Sequence, residues 1–190
     1  QYNVPRMCYV NKMDRIGANF KNAVNGIKNR LGANVVLCQV PLGSHDDFIG
    51  MADLITGFGY IWLGDDKDSK WESIPLDQVA NHPKVQKFTT AADKEWVEQL
   101  LSLRESSIET AVEMDDEAME AYLGGEMPTL ETLKKCIRKG CVAGKLVPVF
   151  CGSSYRNKGV QQLLDGVVDY MPYPGENGGI QTVDEDGNVT

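Results

Sequence analysis

Histidine is scarce in this sequence, with His45 and His82 the two among 190 residues. With so few imidazoles, metal ligation would fall mainly to cysteine. The five cysteines, Cys8, Cys38, Cys136, Cys141 and Cys151, lack the short paired spacings of a zinc site, so no metal site is expected. An odd number without framework spacing also argues against a disulfide scaffold. Several lie in expected strands or on an apolar helix face, and reduced core thiols fit them best. Cations are in deficit: 19 Lys and Arg against 27 Asp and Glu leave a net charge of −8 and a pI near 4.8. Phosphate backbones are held by clustered Lys and Arg, so little direct nucleic-acid binding is expected, and a basic protein partner is electrostatically easier. No apolar run approaches the length of a membrane span, and no membrane partner is expected. The first five residues, Q-Y-N-V-P, lack the basic start and apolar centre of a signal peptide. A buried strand begins almost at once, so the chain is expected to start partway through a larger protein.

What is present begins with that strand. Met7-Cys8-Tyr9-Val10 is an apolar run that breaks into Asn11-Lys12-Met13-Asp14. In open α/β sheets, ligands sit just beyond the carboxyl ends of the strands, which is where this tetrad falls. Its chemistry suits a guanine base. Ionised Asp14 is acceptor-only, with two oxygens for the two adjacent donors on guanine's edge, the ring N–H and the exocyclic amine. Adenine offers an acceptor at that ring position and no such amine. A site built for those hydrogen bonds can reject the wrong base by roughly 10⁴-fold. Asn11 can bond the base or tie neighbouring loops together, and Lys12 can lay its methylene stem over the ring. The tetrad by itself is equally a polar strand end with a turn behind it.

Asn19 is placed to cap a helix whose apolar face is Phe20, Val24, Ile27 and Leu31, closed by Gly32. Residues 34–40 read as a strand, 48–63 as a strand pair, 64–70 as a charged turn and Trp71–Pro75 as a short edge segment. From about residue 76 to 144 the pattern is helical. Asp93 is expected to cap a helix carrying Trp96, Leu100, Leu101, Ile108 and Val112. Asp116–Leu123 follows as a short helix, and Thr129 caps another with Leu130, Leu133 and Ile137. The acidic residues from Glu95 to Glu131 read first as a solvated face. Residues 146–151 form a second buried strand, with Pro148 acceptable near an edge or strand start. Gly152-Ser153-Ser154-Tyr155 comes next. Asn157 is then expected to cap a helix with Val160, Leu163, Leu164, Val167, Val168 and Met171, stopped by Pro172 and Pro174. The tail from Gly175 is linker-like, with a hairpin over residues 180–190 turning at Asp186-Gly187.

The fold class is therefore α/β: part of a mostly parallel sheet with an inserted α+β subdomain. Residues 1–32 and 144–174 supply two strand–loop–helix units of one sheet, and 33–143 form the insertion, too long for an ordinary connection. Residues 175–190 lead into whatever follows. Beyond the second strand, Gly152 and the small Ser153 and Ser154 let backbone N–H groups come close to a ligand, as guanine's carbonyl oxygen requires. An ordinary loop with a helix cap would look the same.

Together, N-K-M-D and G-S-S-Y-R-N-K-G-V resemble the two guanine-reading segments of translational GTPases, elongation factor G above all. The likeness extends through V-P-R, N-K-M-D-R-x-G-A-N-F, L-G-A-N, Y-L-G-G, I-R-K-G and N-K-G-V-Q-x-L-L-D-x-V-V-D-Y-x-P, nearly all of residues 4–174. It implies that Asn11, Lys12 and Asp14 read the base and that Ser153, Ser154 and Tyr155 form the second loop, with GTP/GDP as the ligand. The family usually has alanine where Ser154 stands. Since the implied contact is a backbone N–H, serine is expected to preserve it. No G-x-x-x-x-G-K-[ST] phosphate loop occurs here. The D-x-x-G matches at 47–50 and 184–187 follow the base-reading motif, where the family's switch precedes it. Mg²⁺ ligands, switches and catalytic groups would thus lie outside this segment, which is expected to be inactive alone.

The resemblance implies a protein that hydrolyses GTP to drive translocation of tRNA and mRNA on the ribosome, with the insertion meeting the large-subunit stalk proteins. A ribosome-protection or release-factor GTPase, or a non-catalytic ribosome-docking module, are the alternatives. The expected setting is bacterial cytoplasm or an organelle, a plastid before a mitochondrion.

Overall fold

The apolar run before Asn11 becomes strand β1 (Cys8–Val10). Helix α1 (Phe20–Leu31) starts at Asn19, whose side chain accepts a hydrogen bond from the Asn22 N–H, and ends at Gly32 with φ +59. Both termini thus follow the capping chemistry read from the sequence. Phe20 and Val24 are buried beneath it, whereas Leu31 at its end is exposed. The chain continues through β2 (Val35–Leu37), β3 (Gln39–Leu42), β4 (Gly50–Asp53), β5 (Phe58–Trp62) and β6 (Trp71–Pro75). The helical stretch is α2 (Leu76–Val79), α3 (Ala91–Glu98), α4 (Leu100–Val112), α5 (Asp116–Leu123) and α6 (Leu130–Val142). Strand β7 (Val147–Cys151) and helix α7 (Val160–Tyr170) complete it. This computed structural model describes residues 4–64, 70–88, 91–173 and 175–176. The hairpin expected over 180–190 lies outside the described residues.

Two sheets result. β3-β4-β5-β6 is an antiparallel meander with β6 at one edge, as expected for Trp71–Pro75. The other sheet is parallel, in the order β1-β7-β2, with Tyr9 opposite Phe150 and Val36 opposite Pro148. The strand at 35–37, assigned from sequence to the inserted segment, therefore belongs with β7. Its apolar run is equally suited to either sheet, and only the pairing decides. β7 is central among the described strands of this sheet, yet it carries Pro148. Alternation explains the tolerance. Val147 donates its N–H to Asn34 and Val149 accepts from Cys38, both on the β2 side, so the donor-less Pro148 nitrogen faces β1. Pairing with β1 begins only at Cys8 opposite Val149, so no ladder bond is lost.

The sheets share a core. Met13, Phe20, Val149 and Cys151 from the parallel part pack in one cluster with Val40, Met51, Ile61 and Leu100. A second cluster joins Val36, Cys38 and Phe150 to Ile108, Leu133, Ile137 and Tyr170. The five cysteines are free thiols, and burial pushes each one's pKa up.

Four helix expectations are corrected. The helix assigned to Asp93 is two helices broken at Gln99, and Asp93 sits inside the first turn of α3. Asp93 is buried, and its Oδ2 accepts from the Ser44 hydroxyl at 3.1 Å. Leu101, expected on the apolar face, is exposed while Leu100 is buried, since adjacent residues of α4 point about 100° apart. Asn157 does not cap α7. It takes φ +53 inside the preceding loop, and Gly159 at φ +82 is the N-cap. Leu164, Val167 and Val168 of α7 face outward, and the helix instead buries Gly166 and Tyr170.

Gly166 is where α7 touches the sheet: a Cβ there would lie 2.3 Å from Cζ of the buried Phe150 ring. Gly166→Ala is expected to destabilise the fold by about 1–3 kcal/mol despite the better helix propensity of alanine. Urea unfolding measures it, and an unchanged midpoint would show that the ring moves aside freely.

Candidate functional site

The parallel register sets the ends of β1 and β7 side by side. The Gly152 N–H donates to the Val10 carbonyl, and the Met13 N–H donates to the Gly152 carbonyl, both within 3.1 Å. The two polar loops therefore leave the sheet together. Across this seam Asn11 acts as a tie. Its Oδ1 accepts from its neighbour Lys12 N–H (2.7 Å), from the Ser154 N–H (3.0 Å) and from the Ser154 hydroxyl (3.1 Å). Its Nδ2 lies 2.9 Å from the same hydroxyl oxygen and donates to it. In the structure Asn11 ties the two loops together. The Ser154 N–H, expected to face a base carbonyl, is directed at Asn11. Where the family usually has alanine, the extra hydroxyl of Ser154 is absorbed by the same amide.

Within the tetrad the side chains divide by direction. Lys12 adopts a left-handed backbone, φ +63, and stays exposed. Met13 is buried in the shared core and pins the loop from beneath. Asp14 lies between, its side chain only 6% exposed, with Oδ2 at 3.2 Å from Arg156 Nε. The guanidinium is half exposed, so solvent screens much of this attraction and the pair serves mainly to orient the carboxylate. Asp14 and Tyr155 then line one open cleft with Arg15, Ile16 and Arg156.

The second loop is closed at its base. Ser153 is buried, and its N–H and carbonyl both bond Lys158, each at 2.9 Å. The Tyr9 hydroxyl donates to the Lys158 carbonyl, and burial pushes the Tyr9 pKa up. This closure delays the start of α7 past Asn157. Lys158 is itself buried, with Nζ donating to the Gly64 carbonyl at 3.0 Å and lying 5.1 Å from the Trp62 ring centre. The loop is thereby fastened to the end of β5.

All six residues singled out from sequence thus gather at one end of the parallel sheet, with Ser153 and the Asp14 side chain held inward and the other four exposed. Arg156 and Lys158 went unassigned, although both stand as cations in the loop motif itself. Among the described residues, no three His, Cys, Asp or Glu side chains are grouped to hold a metal ion.

Asn11→Ala removes every bond of the tie and is expected to cost about 1 kcal/mol or more, whereas Ser154→Ala keeps its N–H available and should cost less than about 0.5 kcal/mol. Chemical denaturation of both variants checks the order, and equal losses would show that the hydroxyl is the tie.

Comparison with known proteins fits this geometry. Residues 1–173 match the model of the elongation factor Tu GTP binding domain. The chain is 45% identical over 176 residues to elongation factor G of Wolbachia pipientis subsp. Culex pipiens (strain wPip), covering 92% of this chain and 23% of that protein. A crystal structure of a protein from Thermus thermophilus superposes with a TM-score of 0.71 at 26% identity, over 93% of this chain and 24% of that one. The chain thus spans about a quarter of the length of these relatives. With its parallel sheet, paired strand-end loops and a family match running from the first residue to Tyr173, the chain belongs to the elongation factor Tu GTP-binding domain family.

Proposed function

We propose that this segment recognises the guanine base of GTP and GDP in a translational GTPase of the elongation factor G kind. The observation that carries the reading is the convergence of two strand-end loops, tied by Asn11 and Ser154, around the inward-held carboxylate of Asp14. A carboxylate at the mouth of a cleft fits the two adjacent donors of guanine and no pair on adenine. Lys12 and Tyr155 are exposed and would offer a methylene stem and a ring to a base held there.

In the whole protein, GTP hydrolysis would drive ribosomal translocation of tRNA and mRNA. No phosphate-cradling loop is encoded in these 190 residues, so phosphate binding, Mg²⁺ ligation and hydrolysis would rest on other parts of the protein. The segment alone would be inactive. The 45% identity with an elongation factor G favours that reading over a ribosome-protection or release-factor GTPase or a docking module. That relative is bacterial, which favours the bacterial cytoplasm over a plastid as the setting.

Residues 33–143 would act as an added subdomain, its β2 strand completing the parallel sheet. Their acidic helices would present a surface to proteins of the ribosomal stalk. On α5, Glu117 and Glu120 are exposed. Reversing both charges is expected to lower ribosome-stimulated GTP hydrolysis several-fold while leaving GDP affinity unchanged. Hydrolysis at the unaltered rate would remove these two residues from the contact.

Calorimetric titration of the full-length protein tests the base reading. GDP should bind and ADP should not. Asp14→Asn should weaken GDP by about 100-fold or more, since charge-assisted hydrogen bonds are lost. Xanthosine diphosphate should recover part of that loss, because its 2-carbonyl accepts from the new amide. A full-length protein that binds no nucleotide would overturn the proposal.

A further inference from the structure

The turn that carries Asp14 is held from outside its own sheet. His45 lies in the connection between β3 and β4, in a short 3-10 turn of residues His45–Asp47, and belongs to the antiparallel sheet. Its backbone N–H donates to the Met13 carbonyl at 3.0 Å. Its ring Nδ1 accepts the Gly17 N–H at 3.1 Å. One residue therefore grips the turn immediately before Asp14 and again three residues after it.

Inside those two points the turn has further bonds of its own, Arg15 N–H to the Lys12 carbonyl and Ala18 N–H to the Arg15 carbonyl. Ile16 is 97% exposed, so its side chain provides no anchorage by burial. The histidine is fixed in turn. Gly43 takes φ +81 with the Asp47 carbonyl where a Cβ would stand, which only glycine permits. The neighbouring Ser44 hydroxyl is tied to buried Asp93. His45 itself takes φ +54, a left-handed conformation that aims its ring at Gly17. For Nδ1 to accept, the ring must be neutral with its proton on Nε2.

We propose that His45 is a positioning residue for guanine recognition: by clamping both ends of the Met13–Gly17 turn it holds the Asp14 carboxylate in the orientation that meets the base. The inference rests on the guanine-reading role of Asp14. It makes the β3–β4 turn of the antiparallel sheet a determinant of nucleotide affinity, although no side chain of that turn lines the cleft beside Asp14.

Two substitutions separate the acceptor from the backbone. His45→Gly accommodates the left-handed φ but removes the acceptor. His45→Asn also tolerates that φ, and its Oδ1 can take the place of Nδ1. In the full-length protein, His45→Gly is expected to weaken GDP by about fivefold, the effect of one neutral hydrogen bond, and His45→Asn to restore affinity to within about twofold. Hydrogen–deuterium exchange of the peptide spanning residues 14–18 should quicken in His45→Gly and return to the original rate in His45→Asn. Undiminished GDP affinity in His45→Gly, or the same loss in both variants, overturns the proposal. So does an unprotected Gly17 amide in the unaltered protein, a measurement that stands even if His45→Gly fails to fold. Asp14→Asn, titrated in parallel, keeps the two claims apart. If it leaves GDP binding intact, guanine reading itself fails; if it weakens binding while His45→Gly leaves GDP affinity unchanged, only the clamp fails.

Discussion

The pairing of β1 with β7 is the constraint on which the site depends. These strands lie far apart in sequence, yet their parallel register brings Val10 opposite Cys151 and delivers two polar loops to the same end of the sheet. A shift of one residue would turn every side chain of β1 to the other face. Asn11 would then no longer meet Ser154, and Asp14 would no longer share a cleft with Tyr155. The apolar strands thus act as the frame, and the polar tie across the seam holds the loop geometry that the frame permits.

The inserted elements are joined to this frame through the core. Met13 lies within the binding motif and is buried among residues of the antiparallel sheet, so the loop and the insertion are packed as one body. Lys158 extends the same coupling on the other side, reaching from the second loop to the carbonyl of Gly64 and the face of Trp62. His45 adds a third connection from the β3–β4 turn. The antiparallel sheet is therefore joined to both strand-end loops by core packing and by short hydrogen bonds.

The helix α7 shows a different use of apolar sequence. Its pattern of Leu and Val at helical spacing reads as a buried face, but Leu164, Val167 and Val168 are exposed here while Gly166 and Tyr170 meet the sheet. Periodicity specifies that a stripe exists and not which side is covered. The small Gly166 lets the helix approach Phe150, and that close approach fixes the rotation of the helix about its axis.

Much of the architecture was determined by local sequence. Runs such as 7–10 and 146–151 favour strands, and the caps Asn19, Thr129 and Gly32 end helices through groups within one turn. N-K-M-D and G-S-S-Y raise the expectation of guanine reading only when taken together with the family resemblance. The tertiary structure decided the rest. It placed β2 in the parallel sheet, broke the expected single helix at Gln99, moved the cap of α7 to Gly159, and brought Arg156 and His45 to the turn that carries Asp14. The physical reason is that the strand and cap signals are satisfied by neighbours along the chain. An ion pair across two loops, or a histidine accepting from an amide 28 positions away, exists only after the sheets have paired.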